Sequence, residues 1–314
     1  MTTPEPHEIV LVAYPGAQQA ALHGMEDLFA VADEQARTHL DRNGPLLRVT
    51  TITEDPPPAT TPSVIIVPPT LTGSPAPETM TGLLAWMRTC HERGTILAAV
   101  CAGTFLLAAT GVLDGRAATT HWRSAERLRA LHPTIRVDPD RLLVDDGDIL
   151  TVAGVMSWPD LGLRLIEKLL GPMVMAETAR DLLIDPPRRD QRHYRQFAPV
   201  LTHGDRAILT IQHWLRTDAA REARVAEMVR VSGLEERTFL RRFRKATGIS
   251  PREYAQHLRV ERARDLLETT VLPLERIAWE AGYQDTGAFK KLFFRLTGLS
   301  PAEYRERFTV RPTF

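Results

Sequence analysis

Residues 235–254 read Glu235-Glu236-Arg237-Thr238-Phe239-Leu240-Arg241-Arg242-Phe243-Arg244-Lys245-Ala246-Thr247-Gly248-Ile249-Ser250-Pro251-Arg252-Glu253-Tyr254, and part of this stretch returns fifty residues later. Phe289, Phe293, Thr297-Gly298-Leu299-Ser300-Pro301 and Glu303-Tyr304 repeat Phe239, Phe243, Thr247-Gly248-Ile249-Ser250-Pro251 and Glu253-Tyr254. Ahead of each copy lies an apolar helical stretch and a glycine turn: Ala226–Val229 then Ser232-Gly233, and Ile277–Trp279 then Ala281-Gly282. Helix, glycine turn and a second helix with basic outer positions form the helix-turn-helix pattern. Two such units in one chain point to a reader of two successive grooves of duplex DNA, and so to gene regulation.

The second helix of each unit divides by face. In Glu235–Ala246, Phe239, Phe243 and Ala246 share one side at about 100° per residue, with Arg237, Arg241, Arg244 and Lys245 largely opposite. The planar fork of arginine can meet guanine O6 and N7 together, or a phosphate. In the second unit Asp285 is placed to cap a helix over Thr286–Leu296. Phe289, Leu292, Phe293 and Leu296 turn inward there, and Thr286, Gly287, Lys290 and Lys291 outward. Gly287 offers no side chain, so the first unit is expected to supply most base readout and the second more phosphate contact. Between the units Arg252–Glu268 reads as one helix about 25 Å long. Its Tyr254, Leu258, Ala263, Leu266 and Leu267 fall roughly on one side, and its length suits recognition helices about 34 Å apart.

Charge supports confining the polyanion surface to the C-terminal part. The chain of 314 residues balances 39 Lys and Arg against 39 Asp and Glu. Up to residue 187 there are 14 basic against 23 acidic residues, and after residue 200 there are 21 against 15. No apolar run is long enough to span a bilayer. The N-terminus has neither basic region nor apolar core, so no secretory signal is expected. With only Cys90 and Cys101 and no ligand spacing for a metal, a reduced cytoplasmic setting is the expectation, with no metal and no cofactor.

The first half alternates. Apolar runs at Ile9–Ala13, Leu47–Ile52, Val64–Val67, Ile96–Val100 and Ile149–Ala153 read as strands. Helical patterns fall at Ala20–Asp33, Pro77–Arg93, Phe105–Thr110, Ser124–Leu131, Asp160–Leu170 and Met173–Ile184. This is an α/β domain with a mostly parallel sheet. Pro186-Pro187 breaks it and a basic segment follows. The expected organisation is residues 1–185, a linker over 186–203, and an all-α domain over 204–314. Asp145-Asp146-Gly147-Asp148 reads as an acidic turn rather than a Ca²⁺ loop, which needs a longer ordered ligand spacing.

Cys101 follows one apolar strand and precedes a helix, where N–H groups can favour thiolate. His121 is its candidate base, and the alternative is a buried structural cysteine with a histidine packed elsewhere. Ligands in open α/β sheets bind at the carboxyl ends of strands. Those ends would present Tyr14, Pro15, Thr70, Cys101, His121, Trp122, Met156, Ser157 and Trp158, a mix of aromatic walls and polar groups suited to a small molecule.

Residues 205–308 resemble the double helix-turn-helix domain of AraC/XylS transcription regulators, down to Gly282-Tyr283-Gln284-Asp285 and Gly298-Leu299-Ser300-Pro301-Ala302-Glu303-Tyr304-Arg305. By position, the resemblance implies base contacts at Arg237, Leu240 and Arg241, and at Thr286, Gly287, Lys290 and Lys291. Thr238, Arg244 and Lys245 complete the expected DNA-binding set. Glu235 stands where the family often has a serine cap, and Phe294 where a basic residue is common. Most of residues 7–184 resemble the PfpI/ThiJ-like, class I glutamine-amidotransferase-like domain of GlxA-type regulators. The matching segments are Ile9–Gly16, Gly24–Phe29, Val100–Arg116, Thr119–Trp122 and Asp146–Asp160. This implies a flavodoxin-like sandwich, Cys101 at a nucleophile elbow, and dimerisation through this domain.

Departures from the enzymatic relatives argue against catalysis. Gln18-Gln19-Ala20-Ala21 offers no acidic partner for the cysteine, Ala102 replaces a neighbouring histidine, and Pro68-Pro69-Thr70 replaces a glycine pair. Proline has no N–H to donate, and one missing oxyanion donor costs about two to three orders of magnitude in rate. The expectation is a non-enzymatic regulator. Its partners would be promoter DNA, a second copy of itself, RNA polymerase and an unidentified small-molecule effector. Two rivals stand beside it: a Cys101-dependent amidase or hydrolase fused to a DNA-binding domain, with Cys101 and His121 catalytic, and a Cys101 redox sensor.

Overall fold

The computed structural model describes residues 5–40, 44–53, 61–71, 73, 75–185, 190–217 and 223–309. They form two compact units that divide between Gln191 and Arg192.

The first unit alternates strand and helix. Its strands are β1 (His7–Val12), β2 (Leu47–Ile52), β3 (Val64–Val67), β4 (Ile96–Val100), β5 (Ala117–Ala118), β6 (Arg136–Val137), β7 (Leu143–Asp145) and β8 (Ile149–Val152). Its α-helices are α1 (Gln19–His39), α2 (Thr81–Glu92), α3 (Thr104–Ala109), α4 (Ala125–Leu131), α5 (Trp158–Leu170) and α6 (Pro172–Asp181). Six strands form one sheet in the order β2-β1-β3-β4-β8-β7, parallel except for β7 against β8. A parallel sheet is covered on both faces, so its central strands are continuous apolar runs without alternation. Val64-Ile65-Ile66-Val67 is such a run and is fully buried.

Helices approach closely where glycine permits it. A Cβ at Gly24 of α1 would lie 2.4 Å from the Trp158 ring at the start of α5, and one at Gly162 of α5 would lie 2.1 Å from the side chain of Leu28. The five expected strands and the expected helices are present, with α1 extended to His39. Strands β5, β6 and β7 are not apparent in the sequence, because they are only two or three residues long and show no period.

The acidic turn is held by ion pairs. Arg116 meets Asp146 at 2.7 Å and Asp148 at 2.6 Å, and Asp145 takes Arg164 at 2.7 Å and Lys168 at 3.3 Å. At the end of the unit Gln191 is buried. Its Nε2 donates to Thr119 Oγ1, Thr120 O and Arg141 O at 3.0–3.1 Å, and its Oε1 accepts from the Trp122 N–H at 3.0 Å. A carboxamide that satisfies buried backbone groups removes the penalty of leaving them unpaired.

The second unit holds α7 (Arg206–Leu215), α8 (Val225–Ser232), α9 (Glu236–Thr247), α10 (Pro251–Thr269), α11 (Leu274–Glu280), α12 (Thr286–Thr297) and α13 (Pro301–Phe308). It contains two cores. The first joins Ile208, Ile211, Leu215, Met228, Phe239, Phe243 and Tyr254. The second joins Val260, Ala263, Leu267, Ile277, Phe289, Phe293 and Tyr304.

Helix α10, about 28 Å long at 1.5 Å per residue, belongs to both. The single apolar side expected for it is corrected by the structure. Tyr254 and Leu258 enter the first core, while Ala263, Leu266 and Leu267 enter the second. A helix that serves two cores in succession turns its apolar residues toward different neighbours, so no one stripe persists.

Candidate functional site

The repeat is a repeat of interior and caps. Phe239 and Phe243 lie 5.5 Å apart at 58°, and Phe289 and Phe293 lie 5.6 Å apart at 54°. Each second phenylalanine meets a tyrosine edge-on, Phe243 with Tyr254 at 5.4 Å and Phe293 with Tyr304 at 5.4 Å. Ser250 and Ser300 each accept from the backbone N–H three residues on, and Glu253 and Glu303 reach back to close the capping box. Such a box satisfies two backbone donors that a helix start leaves without partners. Thr247 and Thr297 donate to the carbonyls of Phe243 and Phe293, four residues back. Gly248 and Gly298 end the recognition-type helices with φ of 80° and 76°, a left-handed conformation that costs other residues strain.

What remains outside this scaffold is the outward stripe. Glu235 starts α9 by accepting from the N–H groups of Arg237 and Thr238, so a carboxylate does there the work of a serine cap. Those bonds hold its carboxyl below the usual range. Arg237, Leu240, Arg241, Arg244 and Lys245 are exposed and Thr238 is half-buried. Asp285 starts α12 by accepting from the Gly287 N–H at 2.7 Å. Gly287, Lys290 and Lys291 are exposed and Thr286 is half-buried. Arg242 turns aside from the stripe into a two-pronged bond with Asp205, at 2.9 and 2.6 Å. Phe294, which stands where a basic residue is common and is not among the expected contacts, is 56% exposed.

In the first unit the turns after β1, β3 and β4 meet. Tyr14 is buried and its hydroxyl donates to Pro68 O at 2.8 Å. The Gln18 N–H donates to Pro69 O at 2.8 Å, so the proline pair presents acceptors to this corner. Cys101 is buried with φ of 53°, a strained value for a residue with a Cβ. Burial pushes its thiol up, while N–H groups of Gly154, Ala102 and His121 act in the opposite direction. Burial and the neighbouring thiol also raise the Tyr14 hydroxyl.

His121 is held below the usual histidine range by burial and by Arg123. Its Nδ1 accepts from the Arg123 N–H at 3.2 Å, and its ring stacks on Trp122 at 5.4 Å. Thr70 pairs with Ala17 and Ser157 closes a turn onto Gly154. Trp158 lies over Gly24, and Met156 is largely exposed. The sequence pointed to Gln18 only as a missing acid. Its side chain is buried, with Nε2 3.6 Å from Met156 Sδ and Oε1 without a partner among the described residues. A small cavity of about 50 Å³ lies beside Tyr14, Pro15, Ile52 and Met80.

A thiol held neutral and buried reacts slowly. At pH 7 native Cys101 should be alkylated by iodoacetamide at least about tenfold more slowly than the same residue in guanidinium, read peptide by peptide by mass spectrometry. Equal rates would reveal an accessible thiolate and overturn this assignment.

Residues 29–168 match the DJ-1/PfpI family model, and residues 228–307 match a helix-turn-helix domain model. The HTH-type transcriptional regulator CdhR of Pseudomonas aeruginosa is 26% identical, over 71% of this chain and 66% of that protein. The HTH-type transcriptional regulator GlxA of Rhizobium meliloti is 27% identical, over 70% of this chain and 68% of that protein. The matched stretch thus spans about two-thirds of each relative's own length. The crystal structure of a candidate transcriptional regulator protein from Vibrio parahaemolyticus superposes on 57% of this chain, with a TM-score of 0.50 and 19% identity, a likeness of fold. Among the described residues no helix is long and apolar enough to cross a membrane, and no three His, Cys, Asp or Glu side chains cluster as metal ligands.

Proposed function

We propose that this chain, which joins a DJ-1/PfpI-type α/β domain to two helix-turn-helix units, is a sequence-specific DNA-binding transcription regulator acting in the cytoplasm. The observation that carries this reading is the pair of capped, glycine-terminated helices α9 and α12. Each is anchored by two buried phenylalanines and turns an exposed basic stripe outward. A scaffold that holds cationic side chains in fixed register on two helices is suited to two major-groove segments. Relatives described as transcription regulators support it. DNA contacts fall to Arg237, Thr238, Leu240, Arg241, Arg244 and Lys245 in the first unit, and to Thr286, Gly287, Lys290 and Lys291 in the second.

The α/β domain serves as the sensing and pairing module. Tyr14, Thr70, Cys101, His121, Trp122, Ser157 and Trp158 supply the effector site, a second copy docks through this domain, and RNA polymerase is the downstream partner. Catalysis is not its role. The His121 Nδ1 is occupied by a backbone N–H, Cys101 is held as thiol, and the proline pair offers carbonyls where an oxyanion would need donors.

The test is a titration of the full chain against duplexes enriched by in vitro selection, repeated across salt concentrations. A specific complex should weaken linearly in log–log form as salt rises, because phosphate contacts release counterions. A chain that enriches no sequence from a randomised pool would refute the reading.

A further inference from the structure

The outward stripe of α12 contains an apolar residue at its centre. Gly287, Lys290, Lys291 and Phe294 occupy the i, i+3, i+4 and i+7 positions of one helical face, and all four are exposed. Around the helix, Phe294 falls between Lys290 and Lys291 at about 100° per residue. In the fifty-residue register, these positions correspond to Arg237, Leu240, Arg241 and Arg244 of α9. Phe294 therefore stands in the second unit where the first presents Arg244.

An isolated exposed phenylalanine needs no explanation on an ordinary surface. This one differs in three respects. The inward face of α12 is already closed by Phe289, Leu292 and Phe293, at 0%, 7% and 0% exposure. Phe294 is 56% exposed next to a fully buried residue of the same type. Its neighbours on the stripe and beside it, Lys290, Lys291 and Arg295, are cations, so the partner that covers this face is a polyanion. The glycine two turns earlier on the same face strips bulk from the N-terminal half and allows the backbone to come close to that partner.

A phenyl ring gains nothing from phosphate oxygens. In the major groove the apolar group it can cover is the C5 methyl of thymine. We infer that Phe294 is a specificity-determining residue, reading a thymine methyl in the segment bound by α12. This inference rests on the DNA-binding reading above. It changes the division of labour expected from the sequence: the second unit adds a base-selective apolar contact to its lysine–phosphate contacts.

The experiment uses the full chain and the strongest duplex recovered from a randomised pool. Each thymine of that duplex is replaced in turn by deoxyuridine, which lacks only the methyl, and binding is measured for wild type, Phe294→Ala and Phe294→Lys. Wild type should lose about fourfold in affinity at one or two thymines, the effect of leaving one methyl group in water. Phe294→Ala should bind thymine and uracil duplexes alike, with unchanged melting. Phe294→Lys should also lose the discrimination while its salt slope steepens by about one charge.

Discrimination that persists in Phe294→Ala, or wild-type binding insensitive to every uracil, overturns the inference and leaves the DNA-binding reading intact. Failure to enrich any duplex overturns that reading, and the inference with it.

Discussion

Replacing Phe293 by alanine should lower the stability of the helical unit by about 3–5 kcal/mol, the range for emptying a fully buried phenylalanine site. Phe293 is 0% exposed, sits 5.6 Å from Phe289 and meets the Tyr304 ring edge-on at 5.4 Å. The site cannot collapse easily, because Tyr304 is itself held by its hydroxyl bond to Glu268 at 2.6 Å. A whole domain is stable by only about 5–15 kcal/mol, so the loss would be a large share of the total. Chemical denaturation followed by far-ultraviolet circular dichroism measures it, with Phe294→Ala as the neighbouring control. Phe294→Ala should shift stability by less than about 0.5 kcal/mol, as exposed substitutions do. Equal effects at the two positions would mean that the inward and outward faces of α12 are wrongly assigned.

The second large effect lies in binding. Alanine at Arg237 and at Arg241 should each cost about 1–3 kcal/mol of specific duplex affinity and relax selectivity for the bases they meet. The two side chains are one turn apart on one stripe, so their effects need not add. Together they should weaken the selected duplex at least about tenfold while leaving non-specific, salt-sensitive binding largely in place. Both are exposed, so melting should be unchanged and a loss of binding cannot be blamed on unfolding. Wild-type affinity and selectivity in the double variant would remove α9 from the reading surface.

The sequence made the helical unit legible because what recurs there is interior. Phe239, Phe243 and Tyr254 must keep identity and spacing to close a core, and so must Phe289, Phe293 and Tyr304. The parallel strands were legible for a similar reason, since burial on both faces leaves an unbroken apolar run such as Val64–Val67. Less visible were features that depend on a partner distant in sequence. Gln191 looks like part of a polar linker, and only the Thr119 hydroxyl, the carbonyls of Thr120 and Arg141 and the Trp122 N–H explain its burial. Helix α10 looks one-sided until its two halves are found in different cores. Trp158 follows a strand end in sequence, yet its ring lies against Gly24, a neighbour no local pattern announces. The site residues themselves carry the weakest signal: exposure and charge are common, and only their register on a repeated scaffold singles them out.

The two capped aromatic cassettes have an evolutionary corollary. If they descend from one duplicated segment, selection has held their insides nearly fixed while their outsides drifted apart, from Arg237, Leu240, Arg241 and Arg244 to Gly287, Lys290, Lys291 and Phe294. None of those side chains closes a core or caps a helix, so apart from Gly287, where a Cβ would lie 3.1 Å from the capping Asp285 carboxylate, each can be exchanged at little cost to folding. Target preference in such a chain can wander, one side chain at a time, without passing through an unfolded ancestor.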